Sequence, residues 1–224
     1  MTWIELGNPT PHTAPQHYTP INWQVGEAHY LPIPEQLIKA PFGEVISARR
    51  TRRSFGPISA NDLGALLWAS CRVEREGHHE LGFSLTLRPV PSAGAIHPIH
   101  VIANGPADAN WWLYNPSEHR LEQLVEVDPA LADVRSMLEN IVPPRDATIL
   151  LFAAEPGKTF AKYAEACSLL WRDAGVLIGH LSLVAEALGL SFCPLGVTGD
   201  QWVKKLNQQG HLAGVGMALV GSMD

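Results

Sequence analysis

Apolar positions along the chain recur with two different periods, and the places where the period changes mark the elements. Leu170, Ala174, Leu177, Leu181, Val184 and Leu188 follow one another at helical intervals, forming a seam that buries one side of a helix. Ile178 and Ala185 widen the seam, and Gly189 stands where a helix closes in the left-handed conformation. The spacing predicts one long helix over residues 160–188. "ISANDLGALLWASC" predicts a second over 58–71, with Ser59 as N-cap, Asp62 in the first turn and Leu63, Leu66, Leu67 and Ser70 behind it. A short helix is expected over 42–50, where Val45, Ile46 and Arg49 share a face, and another over 129–141.

Elsewhere the pattern is that of strands. "PIHVIANG" (98–105), "ATILLFAAE" (147–155) and "LAGVGMALVG" (212–221) are short apolar runs. "NWWLYNPSEHRLEQL" alternates about an Asn-Pro turn and predicts a hairpin. The polar stretch 72–88 reads as a loop, and "LSFCPLGV" as a sharp turn. Prolines at 9, 11, 15, 20, 32, 34 and 41 leave no periodicity before residue 41. The organisation expected is an extended arm over 1–40 and a single domain over 41–224. Helices and strands interleave irregularly, which points to α+β rather than a doubly wound sheet.

Composition narrows the classes. The 224 residues are 46% hydrophobic and 17% charged, enough for one sizeable core. A net charge of −6 argues against a nucleic-acid partner. The N-terminus has no basic-then-apolar leader, and no apolar run approaches the ~20 residues of a membrane span, so no membrane partner is expected. Cys71, Cys167 and Cys193 are odd in number and scattered, which fits a reducing cytoplasm and no zinc site. "EPGKT" lacks the first glycine of a phosphate loop, and "GVGMALVG" lacks the spacing of a dinucleotide fingerprint. The histidine pairs His97/His100 and His78/His79 have no carboxylate or cysteine at ligand spacing, so no metal is expected.

Two stretches carry chemistry. "ISARRTRRSF" (46–55) packs four arginines into five residues, a cluster suited to clamp a phosphate through guanidinium forks, with a neighbouring helix start adding backbone N–H groups. "RPVPSAGAIHP" (88–98) places small residues at the mouth of a strand, where a large flat ligand can approach the main chain.

"RRTRRSF" resembles the Arg-Arg-Ser-x-Arg-x-Phe opening of the FMN-dependent nitroreductase superfamily. "PSAGAIHP" resembles its second motif in the form used by SagB-type azoline dehydrogenases, Pro-Ser-Ala-Gly-Ala-Leu-Tyr-Pro. "LLWRDAGVLIGHLSLVAEALGLSFCPLGV" resembles the long central helix and the Pro-x-Gly turn that follows it. The three lie in the family's order from about residue 40 onward. The resemblance implies a nitroreductase-like fold: a central, mostly antiparallel sheet flanked by helices, with the long helix at a homodimer interface. It implies FMN between subunits, with Arg49, Arg50, Thr51 and Arg53 on the ribityl phosphate. Pro91, Ser92, Ala93, Gly94 and Ala95, usually from the partner, would lie along the ring, and Pro194, Leu195 and Gly196 would approach its reactive edge. Two positions depart from the family: His97 replaces the usual Tyr, and the last strand is followed by "VGSMD" without the basic residue many members have. The arginine cluster alone is then expected to hold the phosphate.

The resemblance extends to the chemistry. Lys162 and Tyr163 resemble the catalytic pair of azoline dehydrogenases, which oxidise peptide thiazolines and oxazolines to azoles. A phenol beside an ammonium is drawn toward phenolate and makes a usable base. His97 is a second proton-carrier candidate. The first expectation is therefore a SagB-type FMN-dependent oxidoreductase acting on a peptide substrate beside a cyclodehydratase partner. The alternatives are an NAD(P)H-dependent nitro or quinone reductase and a non-catalytic protein that keeps the flavin fold.

Overall fold

The computed structural model describes the chain apart from Met1, Pro15, Leu37, His78, His79, Glu126, residues 207–210 and Asp224. The strands are β1 (Thr10–Pro11), β2 (Val25–Tyr30), β3 (Arg75–Gly77), β4 (Leu85–Leu87), β5 (Ile99–Asn104), β6 (Trp112–Asn115), β7 (Arg120–Leu124), β8 (Thr148–Ala154), β9 (Tyr163–Ala164), β10 (Leu190–Leu195) and β11 (Ala213–Ser222). The helices are α1 (Phe42–Ala48), α2 (Ala60–Cys71), α3 (Val134–Leu138), α4 (Pro156–Phe160), α5 (Cys167–Ala187) and α6 (Asp200–Leu206). Seven strands form the main sheet in the order β10-β11-β8-β5-β6-β7-β2, and every pairing in it is antiparallel.

Both faces of the sheet are covered, which is why its central strands read as unbroken apolar runs. Every residue of β8 is buried. Leu150 and Phe152 face a core shared with Leu66 and Leu67 of α2 and Leu177 and Leu181 of α5. Ile149 and Leu151 face the opposite core, closed by Val134 and Leu138 of α3 and Trp202 and Val203 of α6. The α5 seam is as expected: Leu170, Ala174, Leu177, Leu181 and Ala185 are buried, and Ile178, Val184 and Leu188 pack against them. By length and composition α5 is also apolar enough to cross a bilayer, contrary to the expectation that no run approaches that length. Here that apolar face is spent on the sheet.

The long helix begins at Cys167 rather than residue 160. Glu165 adopts a left-handed φ of 50°, which a helix cannot continue through, and α4 and β9 take up the preceding residues. "LSFCPLGV" is a strand through Leu195 before it turns. Pro194 is tolerated there because β10 is an edge strand, so its missing N–H costs no ladder bond. Residues 75–77 and 85–87 form a small hairpin where a loop was expected. Helix α6 was not foreseen.

The arm is extended but does not merely wrap the surface: β2 forms the far edge of the main sheet on β7. "EPGKT" opens the short helix α4. Gly157 is small there because a Cβ would lie 2.0 Å from the Tyr18 ring.

Candidate active site

Helix α5 organises the site from its two ends. Near its start Asp173 points at the loop that carries the second motif. Ser92 Oγ donates to Asp173 Oδ2 at 2.5 Å, and the Ala93 N–H reaches Oδ1 at 3.1 Å. Ser92 Oγ in turn accepts from the His97 N–H at 3.0 Å. These bonds hold a strained segment, since Gly94, Ala95 and His97 have φ of 63°, 58° and 48°, and left-handed backbone is unfavourable for the two non-glycine residues. Burial pushes Asp173 above the ordinary carboxylate range, while its bonds to Ser92 and Ala93 pull it back. Asp173 was not foreseen. The available signal is a lone carboxylate on the apolar face of the helix, beside Ala174 and one turn after Leu170.

Lys162 and Tyr163 meet the same loop from the other side. Lys162 Nζ donates to Gly94 O at 3.3 Å and stands 5.7 Å from the centre of the Tyr163 ring. A Cβ on Gly94 would lie 2.7 Å from Tyr163 Oη and 2.9 Å from Lys162 Nζ. Gly94 is therefore small enough to admit these two side chains. Pro91 and Ala95 are the members of the motif exposed on the surface.

The Lys-Tyr segment is splinted by the arm. Strand β1 pairs Pro11 with Tyr163 and Thr10 with Ala164, and the His12 N–H donates to Lys162 O at 2.9 Å. Behind it, Glu155 is fully buried. It accepts from the Ile21 N–H at 2.6 Å, His100 Nε2 at 2.9 Å and Lys158 Nζ at 3.0 Å. These donors outweigh burial and hold the carboxyl at about 2. His100, buried beside Lys158, stays below its ordinary value.

At the far end of α5, Glu186 forms a bidentate ion pair with Arg52, and the Arg52 N–H donates to Phe192 O at 3.2 Å. The arginine segment is thereby fixed to β10. Arg53 hydrogen-bonds Cys193, next to Pro194, although burial dominates and raises that thiol. The first motif and the Pro194–Leu195–Gly196 segment therefore lie together. Arg50 donates through Nη1 to Ser47 O and Arg49 O, both at 2.8 Å, closing the C-terminus of α1. At the helix start expected to supply N–H groups, the Ser59 side chain already takes the Asp62 N–H at 3.1 Å. Arg49, Arg50 and Arg53 form no ion pair among the described residues, and Thr51 is exposed beside them.

The predicted site residues thus fall into two groups, one at each end of α5. One holds Ser92, Gly94, Lys162 and Tyr163; the other holds Arg49, Thr51, Arg53 and Pro194. Their anchors Asp173 and Glu186 are about 20 Å apart at ~1.5 Å of rise per residue. Between them the helix exposes Gly175, Val176 and Gly179, and nothing stands within 4 Å of a Cβ placed on Gly175 or Gly179. Phe42 and Ile46 of the neighbouring α1 are also exposed. His97 lies beside Arg88, and burial lowers it to about 4, so it is neutral at pH 7 and carries no acid proton there. His78 and His79 lie outside the described residues.

A family model described as the nitroreductase family matches residues 46–214. No curated protein sequence matches the chain. Among solved structures, a protein provisionally described as a nitroreductase from Ralstonia eutropha JMP134 superposes with a TM-score of 0.67 at 22% identity, over 94% of this chain and 98% of that one. A chain of the Escherichia coli microcin synthetase McbBCD complex with truncated pro-MccB17 bound superposes with a TM-score of 0.60 at 19% identity, over 89% of this chain and 79% of that one. A second protein provisionally described as a nitroreductase, from Anabaena variabilis ATCC 29413, gives a TM-score of 0.56 at 19% identity, over 72% of this chain and 34% of that one.

Proposed function

The chain belongs to the nitroreductase family, and from that premise we propose that it is an FMN-dependent oxidoreductase working as a homodimer on azoline rings in a peptide. The residues fit the cofactor. Arg49, Arg50 and Arg53 offer guanidinium forks with no carboxylate of their own, and such forks suit the phosphate and ribityl chain. Bound FMN supplies a hydride acceptor; the chain supplies position and proton transfer.

The observation that carries the reading is the seating of Lys162 and Tyr163 on Gly94. It joins the pair to the Pro-Ser-Ala-Gly-Ala motif, a contact that a pair merely packing at a helix start would not need. Reacting as phenolate, Tyr163 would take the proton lost from the ring carbon and become the neutral phenol, with the Lys162 ammonium, held by the Gly94 carbonyl, beside it. Pairing α5 with its copy across a two-fold axis near Gly179 brings the Asp173 end of one helix beside the Glu186 end of the other. The two groups then serve as half-sites that complete each other, and the exposed Gly175, Val176 and Gly179 allow close helix approach. A chain of the microcin synthetase complex shares this fold, and the resemblance to SagB-type dehydrogenases makes a cyclodehydratase the partner class expected. Three unpaired cysteines fit a cytoplasmic setting.

The deciding experiment is aerobic turnover of an azoline-containing peptide by FMN-loaded protein, with oxygen as the acceptor that reoxidises the flavin. Azole formation, lost in Lys162→Ala and Tyr163→Phe while FMN is retained, supports the reading. Flavin reduction by NADPH with no azole formed favours nitro or quinone reduction. FMN binding with neither activity favours a non-catalytic role.

A further inference from the structure

The β5–β6 ladder has only two residue pairs, Ile102 with Leu113 and Ala103 with Trp112. Toward His100 and Asn115 the strands part, and a cavity of about 300 Å³ is lined by residues from both, a size at the lower end for small-molecule sites. Val90, Ile99, Val101 and Leu177 give it an apolar wall. Pro91 and Ser92 border it, whereas Lys162, Tyr163 and the arginine cluster do not.

The charges around the cavity are almost all spent. Lys158 is paired with Glu155 at 3.0 Å, and Glu122 with Arg120 at 2.7 Å. Asp173 has both oxygens on Ser92 and Ala93. Arg88 is the exception. Its Nε donates to Thr86 Oγ1 at 2.9 Å, and among the described residues its two terminal nitrogens meet no carboxylate and no hydrogen-bond acceptor. Burial pushes the guanidinium below its ordinary value, a cost that an anion would relieve. Trp23 also lines the cavity, and its buried Nε1 has no hydrogen-bond acceptor among the described residues.

We propose that the β5–β6 cleft binds a small apolar carboxylate, its head on the Arg88 guanidinium and its body against Val90, Ile99, Val101 and Leu177. One guanidinium fork matches one carboxylate, and the apolar wall favours a hydrocarbon body over a sugar or polyphosphate. The cavity shares Pro91 and Ser92 with the second motif but not Lys162, Tyr163 or the arginine cluster, and the proposal stands whether or not the flavin reading holds.

The test is calorimetric titration of the purified chain, flavin-free and FMN-loaded, with phenylacetate, 3-methylbutanoate and hexanoate, using phenylacetamide as the neutral control. Saturable binding of at least one acid is expected. Where phenylacetate is the ligand, the amide should bind about tenfold or more weakly. Arg88→Met should abolish binding and melt no lower than the wild type, because it removes an unpaired cation. Failure of all three acids, equal binding of acid and amide, or unchanged binding in Arg88→Met overturns the proposal. Loss of binding on FMN loading also overturns it, by assigning the carboxylate to the flavin site. If the chain takes no FMN, the flavin-free titration still decides the question.

Discussion

Ser92 and Asp173 are joined by a 2.5 Å hydrogen bond that fastens the second motif to the long helix. Because Asp173 also takes the Ala93 N–H, Asp173→Asn leaves one oxygen to do the work of two. A loss of about 2 kcal/mol in unfolding free energy is expected, with weaker FMN retention as the loop relaxes. Urea titration and flavin fluorescence measure both; unchanged values would mean the loop is held by something else.

Gly94→Ala tests the seat of Lys162 and Tyr163. The added methyl meets both side-chain tips at under 3 Å and stands at a φ of 63°, which costs about 1 kcal/mol by itself. Turnover should fall by about tenfold or more, while the stability loss stays near that backbone cost. Steady-state kinetics and thermal melts separate the two effects.

The arginine cluster should divide into anchor and ligand. Arg52→Ala leaves the more buried Glu186 carboxylate without its partner and should cost about 2 kcal/mol of stability, with Arg52→Lys restoring little because the fork is lost. Arg49→Ala and Arg53→Ala should leave the melting temperature near that of the wild type and weaken FMN binding about tenfold each. The opposite division would reverse the roles.

Gly179→Glu places a charge on the exposed helix face midway between the half-sites. In the homodimer reading it yields a monomer of 24.4 kDa that does not retain FMN. Light scattering and flavin absorbance report on it; an intact dimer with FMN bound would move the interface elsewhere.

His97 sets a pH dependence. Its folded value of about 4 against an ordinary 6.5 means that the unfolded chain binds the proton first as pH falls. Its contribution is complete above about pH 6.5 and is lost by about pH 4, up to about 3 kcal/mol. His97→Asn tolerates the left-handed backbone and should flatten stability over that window. Chemical denaturation at pH 7, 5.5 and 4 measures the difference between variant and wild type.

The elements whose apolar pattern is dictated by the core were legible without coordinates. The α5 seam, the β6–β7 hairpin and the β8 and β11 strands follow from burying one stripe or one sheet, a local requirement that leaves a local period. The arginine and Pro-Ser motifs were visible for the same reason, since their residue types are unusual where they stand. What pairs them was not. Asp173 and Glu186 are ordinary carboxylates until the helix aims one at Ser92 and the other at Arg52. The seating of Lys162 and Tyr163 on Gly94 joins residues far apart in the chain. The hairpin β3–β4, the helix α6 and the opening between β5 and β6 likewise depend on contacts made across the fold. Residue spacing records which face of an element is buried; only packing decides which charge meets which loop, because those partners are chosen by distance in space and leave no period behind.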